Sequence, residues 1–297
     1  MSRIAFIGLG NMGLPMAVNL GKAGHELRVF DASPDAMAGA AAQGLTAATD
    51  IAEVVSGAEF IVTMLPNGAI VLKVFEQILP AAGSGAVIID CSTIDVASAR
   101  KAHEMASAAG LLPLDAPVSG GTAGAAAATL TFMAGGSKPV FARAEPVLGA
   151  MGARIVYCGE GGAGQAAKIC NNMLLGISMI GACEAFALAE KLGLSAQAAF
   201  DVISTSSGSC WSVNSYCPVP DVGPKTPADN GYRPGFAAEL MLKDLGLSQE
   251  AAAKAGQATP MGEHAMQLYR AFVEGSGAGK DFSGIIEFLR TAARDPE

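Results

Sequence analysis

The chain has 297 residues, 51% hydrophobic and 15% charged, with a formal net charge of −8. Such a composition supports a sizeable core in one large or two smaller domains and excludes a disordered chain. The acidity excludes the basic surface that a nucleic acid or an anionic membrane demands, so neither is an expected partner.

The first predicted strand, residues 3–8, runs into Gly8-Leu9-Gly10-Asn11-Met12-Gly13, and a helical pattern follows at once. A G-x-G-x-x-G triplet carries weight only in such a strand–turn–helix context. There Gly8 permits the tight turn, Gly10 lets a pyrophosphate approach the backbone, and Gly13 lets helix and strand pack closely. Leu9, Asn11 and Met12 complete a loop that places a diphosphate at the positive end of the helix. The second strand, 27–30, ends on Asp31, 18 residues after Gly13. A carboxylate at that point can accept hydrogen bonds from both adenosine ribose hydroxyls and repels a 2′-phosphate. Ala32-Ser33-Pro34 follows it with no arginine, so NAD rather than NADP is the expected cofactor.

Further strands at 60–65, 86–91, 112–116, 130–134 and 154–157 alternate with Ala-rich helical stretches. This βαβα order predicts an α/β fold with a Rossmann-type, doubly wound parallel sheet, and it leaves open whether the later strands pair antiparallel. Open parallel sheets bind ligands at the carboxyl ends of their strands. Leu65, Pro66 and Thr93 are therefore expected to reach the cofactor, with an N-cap role for Ser92 and Thr93 as an equal alternative.

After Gly161, Gly162 and Gly164 a helix is predicted over 165–192, roughly 40 Å long and able to bridge two domains. Its apolar run 173–183 is too short for a bilayer and is closed by Glu184, and the uncharged stretch 116–137 is Gly, Ala, Thr and Ser, so no membrane span is expected. Beyond it lie helices at 195–204, 236–255, 260–274 and 282–291, with a loop at 206–234 whose length and aromatic content point to function. The expected domains are a dinucleotide-binding domain, 1–162, and an all-helical substrate and oligomerisation domain, 163–297, joined by the long helix with the active site between them. Residues 292–297 read as a frayed tail. Met173, Leu174, Ile177, Ile180, Phe186 and Leu188 place apolar side chains on most faces of the long helix, which predicts burial on more than one side in a homo-oligomer, dimer or tetramer. Arg3 ahead of an apolar stretch superficially resembles a signal peptide, but a strand, a loop and a helix explain it better. The cytoplasm is the expected location.

Six scattered cysteines without a C-x-x-C pair read as reduced thiols, and three dispersed histidines offer no zinc spacing, so no metal is expected. Alcohol oxidation by a nicotinamide needs a group to take the hydroxyl proton. His25 lies in a turn, and His103 and His264 lie in Ala-rich helices outside any motif. Lys168 is the natural candidate: with Asn172 at i,i+4 it projects from one face of an otherwise apolar helix, which is costly unless both meet a ligand or partner. Burial and a second cation such as Lys243 would favour its unprotonated form. Lys243-Asp244 reads more readily as a solvated charge pair, and Asp115 as a capping or structural acid.

Three motifs taken together resemble the β-hydroxyacid dehydrogenase family: the run from Gly8 to Met16, Asp115-Ala-Pro-Val-Ser119-Gly120-Gly121, and Gly164-Gln-Ala-Ala-Lys168-Ile-Cys-Asn-Asn172. They occur in the family's order over nearly the whole chain. Ser206-Ser-Gly-Ser-Cys-Trp211, Tyr216-Cys-Pro-Val-Pro220, Asn230-Gly-Tyr-Arg-Pro-Gly-Phe236 and Leu240-Met-Leu-Lys243-Asp244 resemble one branch of it. The resemblance implies NAD-linked reversible oxidation of a small β-hydroxy acid. It implies Lys168 as general acid/base, with Asn172, Lys243, Trp211 and Phe236 at the substrate. It also implies a carboxylate site at Ser119, Gly120 and Gly121, which unaided read only as a flexible turn. Lys243 would lie near the nicotinamide as well. A sugar phosphate is not expected, because no Arg/Lys cluster would hold it, and a non-catalytic dinucleotide sensor would not need the lysine and the Ser-Gly-Gly turn.

Overall fold

The computed structural model describes residues 1–292, so the expected frayed tail lies outside the described residues except for its first position. The chain divides into two units, Met1–Lys168 and Ile169–Glu297. The expected boundary at 162/163 falls at the start of the long helix; the units part six residues later, because the first helical turn is tied into the sheet domain.

The first unit is built on strands β1 (Arg3–Ile7), β2 (Glu26–Phe30), β3 (Thr46–Ala47), β4 (Phe60–Thr63), β5 (Val87–Asp90), β6 (Leu112–Asp115), β7 (Val118–Ser119), β8 (Leu130–Gly135) and β9 (Gly152–Gly159). The helices between them are α1 (Gly13–Lys22), α2 (Pro34–Ala42), α3 (Ile51–Val55), α4 (Gly68–Ile78), α5 (Val96–Ala108), α6 (Gly121–Ala127) and α7 (Lys138–Gly149), after which α8 (Ala163–Lys191) begins. The nine strands form one sheet in the order β3-β2-β1-β4-β5-β6-β8-β7, with β9 on β8. Strands β1 to β6 pair in parallel, and the direction of winding reverses between β1 and β4, which pair Ile4 with Phe60. Side chains alternate between two cores: Phe6, Val29, Val62 and Ile89 on one face, Ala5, Ile7, Ile61 and Ile88 on the other. Burial on both faces explains why β4 and β5 read as continuous apolar runs rather than alternating ones. The open question about later strands resolves as mixed: β8 is antiparallel to β6 and β7 and parallel to β9. The two-residue strands β3 and β7 and the five-residue α3 were not predicted, since segments so short carry no readable period.

The second unit is helical, as expected. It contains the rest of α8 with α9 (Ala196–Thr205), α10 (Trp211–Asn214), α11 (Ala238–Ala255), α12 (Pro260–Phe272) and α13 (Ile285–Ala292). Met179, Cys183 and Phe186 of α8 pack with Met241 and Leu245 of α11, Tyr269 and Phe272 of α12, and Ile285 and Ile286 of α13. Each fully buried phenylalanine there stabilises the unit by about 1.5–3 kcal/mol. Among the described residues α8 alone is long and apolar enough to cross a membrane, although the run 173–183 is short, because Ala and Gly prolong it. Its inward residues form this core, which gives the apolar length a structural use.

The predicted loop 206–234 is only partly irregular: it holds α10 and a 3₁₀ turn, Pro227–Asn230, closed by a Thr226/Asp229 capping box. Val213, Cys217, Val219, Val222, Ala228 and Tyr232 bury it against the helical core.

Candidate active site

The glycine loop is sterically over-determined. Gly8 sits at φ +97°, and a Cβ on it would strike the Met64 carbonyl; one on Gly13 would strike the Gly8 carbonyl. Only glycine closes β1 onto α1 at these two positions. A Cβ on Gly10 would instead meet open space, as expected where a ligand approaches. Asp31, at the end of β2, accepts the Leu9 N–H at 2.6 Å through Oδ2 and the Ser33 N–H at 2.7 Å through Oδ1. An ionised carboxylate has about four acceptor positions, so capacity remains for ribose hydroxyls, and its charge opposes a 2′-phosphate. The loop, the open space over Gly10 and the anchored carboxylate together fit NAD, whose chemistry is to take up a hydride.

The neighbouring strand ends are knit together. Ser92 is not a helix cap: Asp95 caps α5, accepting from the Ser98 N–H at 2.9 Å. The Ser92 hydroxyl donates to Asp90 Oδ1 at 2.6 Å and accepts the Leu65 N–H at 2.8 Å. Thr63 Oγ1 donates to the same Asp90 oxygen at 2.8 Å. This links the turn carrying Leu65 and Pro66 to the loop carrying Thr93. Asp90 Oδ2 is buried without a hydrogen-bond partner. Burial pushes the Asp90 carboxyl up from 3.8 to about 6, against the bonds from Ser92 and Thr63.

In the same unit β7 ends at Ser119, and Gly120 and Gly121 follow at φ +133° and +62°, a left-handed stretch that opens α6. Lys168 is 7% exposed, near the start of α8. Asp115, buried at the end of β6, accepts the Gly162 N–H at 2.7 Å and the Gln165 N–H at 2.9 Å, so of the capping and structural readings it is the cap, and it caps α8. His103 Nε2 lies 2.9 Å from Asp115 Oδ1, so this histidine, set apart from every motif in the sequence, is attached to one of them.

In the second unit Asn172 is buried and its amide donates to Asp244 Oδ2 at 2.5 Å while accepting from Asn171 Nδ2 at 2.9 Å. Asp244 is itself buried, so the alternative of a solvated Lys243-Asp244 pair does not hold. Trp211 stacks on Tyr216 with centroids 4.8 Å apart, and Phe236 meets Phe282 edge-on at 5.6 Å. Asp281 organises this cluster: Oδ2 accepts the Tyr216 hydroxyl at 3.0 Å and the N–H groups of Gly235 and Phe236 at 2.9 and 3.0 Å. Burial, with Asp281 beside it, pushes the Tyr216 phenol well above its ordinary range. Asp281 and Gln165 were not singled out in the sequence, whereas His103 was weighed and set aside as lying outside any motif, and Asp244 was read as half of a charge pair. For Gln165 the only signal was a polar residue at the start of an apolar helix.

Residues 3–159 match the profile of the NAD-binding domain of 6-phosphogluconate dehydrogenase, and residues 162–289 match the NAD-binding region of NADP-dependent 3-hydroxyisobutyrate dehydrogenase. A probable 3-hydroxyisobutyrate dehydrogenase of Mycobacterium bovis is 50% identical over 293 residues, covering 99% of each chain. This chain belongs to the β-hydroxyacid dehydrogenase family. Its relatives within that family include an NAD-dependent L-serine dehydrogenase of Pseudomonas aeruginosa, 47% identical over 95% of this chain and 96% of its own. The solved 3-hydroxyisobutyrate dehydrogenase of Mycobacterium tuberculosis with L-serine superimposes with a TM-score of 0.94 at 51% identity, over 98% of this chain and 99% of that one. As a β-hydroxyacid dehydrogenase the protein is an NAD-dependent oxidoreductase, with a Rossmann-type domain for the cofactor.

Proposed function

We propose that the enzyme reversibly oxidises (S)-3-hydroxyisobutyrate to methylmalonate semialdehyde, a step of valine degradation. The observation that carries this reading is Lys168, a buried lysine in the same unit as the glycine loop and the Ser119-Gly120-Gly121 turn. The names of the relatives support the substrate. Bound NAD would supply the acceptor for a hydride leaving the carbinol carbon. The Lys168 amine takes the hydroxyl proton as that carbon becomes a carbonyl, and returns it in the reverse direction. The Ser119 hydroxyl and the N–H groups of Gly120 and Gly121 hold the carboxylate. Asn172, its amide oriented by Asp244, and Lys243 hold the substrate, and Trp211 and Phe236 supply apolar surface for its methyl group.

Lys168→Ala should retain fold and NAD binding while kcat falls by about 10²–10⁴-fold. Lys168→Arg should not rescue it, because a guanidinium keeps its proton in this range. Turnover by folded Lys168→Ala within a few-fold of the parent would overturn the assignment. L-serine is the second reading, favoured by the serine dehydrogenase relative and the serine-bound structure. It differs by an ammonium in place of the methyl, and kcat/KM measured side by side on the two acids, with 3-hydroxypropionate as a third, decides between them.

We further propose a cytoplasmic homo-oligomer. Leu174 and Leu188, 65% and 60% exposed, flank the middle of α8 and would be covered by a second copy. Light scattering at micromolar concentration should show a dimer or tetramer that Leu174→Glu with Leu188→Glu dissociates; a monomeric parent refutes it.

A further inference from the structure

Gln165 is fully buried, and a buried amide is retained only where its donors and acceptor are satisfied. Its Nε2 donates to the Ser92 carbonyl at 2.7 Å, and its Oε1 accepts the Ile94 N–H at 3.1 Å. The two bonds bracket Thr93. The backbone N–H of the same residue is one of the two that Asp115 accepts, the other being that of Gly162. A glycine has no side chain with which to cap a helix, so α8 is capped across the chain by a carboxylate from the end of β6, at the positive end of the helix dipole.

The packing leaves this arrangement no slack. A Cβ on Gly135 would lie 2.6 Å from Asp115 Oδ1, and one on Gly164 would lie 2.8 Å from Asp115 Oδ2. The first turn of α8 is thus held at two points, the end of β6 and the loop after β5. Lys168 stands three residues beyond Gln165, one turn along the same helix. Because an α-helix transmits translation and rotation over a single turn with little loss, whatever displaces the loop also displaces the lysine.

We propose that Gln165 and Asp115 are positioning residues for Lys168, and that Gln165 couples the cofactor loop around Thr93 to the proton-transfer group. The inference rests on Lys168 being that group. Gln165→Met preserves length and leaves the backbone cap on Asp115 intact, while removing both bonds to the loop. Gln165→Glu keeps an acceptor for Ile94, replaces the donor to Ser92 with a carboxylate oxygen and adds a buried acidic group. Both variants should bind NAD, titrated by fluorescence, and should lose about 10–100-fold in kcat with little change in substrate KM, the size expected of a misplaced reacting group. Their pH profiles of kcat should also shift relative to the parent, because the lysine sits in altered surroundings. A merely structural amide would lower the melting temperature and leave the kcat profile in place. A parental kcat and pH profile in Gln165→Met overturns the proposal, and if that variant does not fold, Gln165→Glu decides the matter by the same criteria. The parallel Lys168→Ala measurement separates the two failures. An inactive Lys168→Ala beside a fully active Gln165 variant refutes the coupling alone, whereas an active Lys168→Ala removes its premise.

Discussion

Replacing Asp90 by Asn should erase a defined component of the pH dependence of folding. The Asp90 carboxyl is fully buried behind the cofactor loops, with three donors from Thr63 and Ser92 converging on Oδ1 and none on Oδ2. Loss of hydration raises it from 3.8 to about 6, with a smaller push from the charge of Asp115. A carboxyl that holds its proton more tightly when folded contributes stability that is complete below pH 3.8 and is lost as the pH rises through about 6. At about 1.4 kcal/mol for each pH unit between the two values, ionising Asp90 costs the folded state about 3 kcal/mol. Asparagine keeps the acceptor facing Thr63 and Ser92 and carries no charge. The unfolding free energy of Asp90→Asn, measured by urea denaturation of NAD-free protein, should therefore rise relative to the parent by about 3 kcal/mol between acid and neutral pH. Other carboxylates titrate in both proteins and cancel in the difference. A difference that stays flat from pH 3.8 to above 6 would refute the reasoning.

Asp31→Ala should narrow the preference for NAD over NADP, chiefly by lowering kcat/KM for NAD about 10–100-fold, the worth of a lost charge-assisted hydrogen bond. Equal or better steady-state activity of the parent with NADP would sink the reading of that carboxylate. Asp281→Ala leaves the N–H groups of Gly235 and Phe236 and the Tyr216 hydroxyl without their shared acceptor, so stability should fall by at least about 3 kcal/mol. Trp211, the one tryptophan in the chain, stacks on Tyr216 and should report the loosened loop as a red-shifted emission; unchanged emission and stability would remove Asp281 from its organising role.

The sequence made the cofactor half of the site legible because its determinants are local. Gly8 and Gly13 answer to one turn, and Asp31 to the end of the next strand, so their spacing within a strand–turn–helix–strand context identifies them. Lys168 and Asn172 were visible for a related reason: a cation and an amide on an apolar helix contradict their own surroundings. Asp115 could be read only as a capping or structural acid, since the N–H groups it accepts lie 47 and 50 residues further along the chain. The sequence left capping open for Ser92 because a serine ahead of a helical stretch resembles a cap wherever it stands, and only the position of Asp95 shows that the task is already taken.

Local chemistry thus determined the fold class, the dinucleotide loop, the long helix and the candidate lysine, all of which depend on periods and contacts within a few residues. Tertiary structure alone decided which polar groups answer one another: Asn172 to Asp244, His103 to Asp115, Gln165 to the loop around Thr93, and the aromatic loop to Asp281. Each of these pairings satisfies a buried donor or acceptor across a span of 12 to 73 residues. The need to pair such a group is written in its chemistry, but its partner is set by whichever polar group the packed strands and helices bring within about 3 Å.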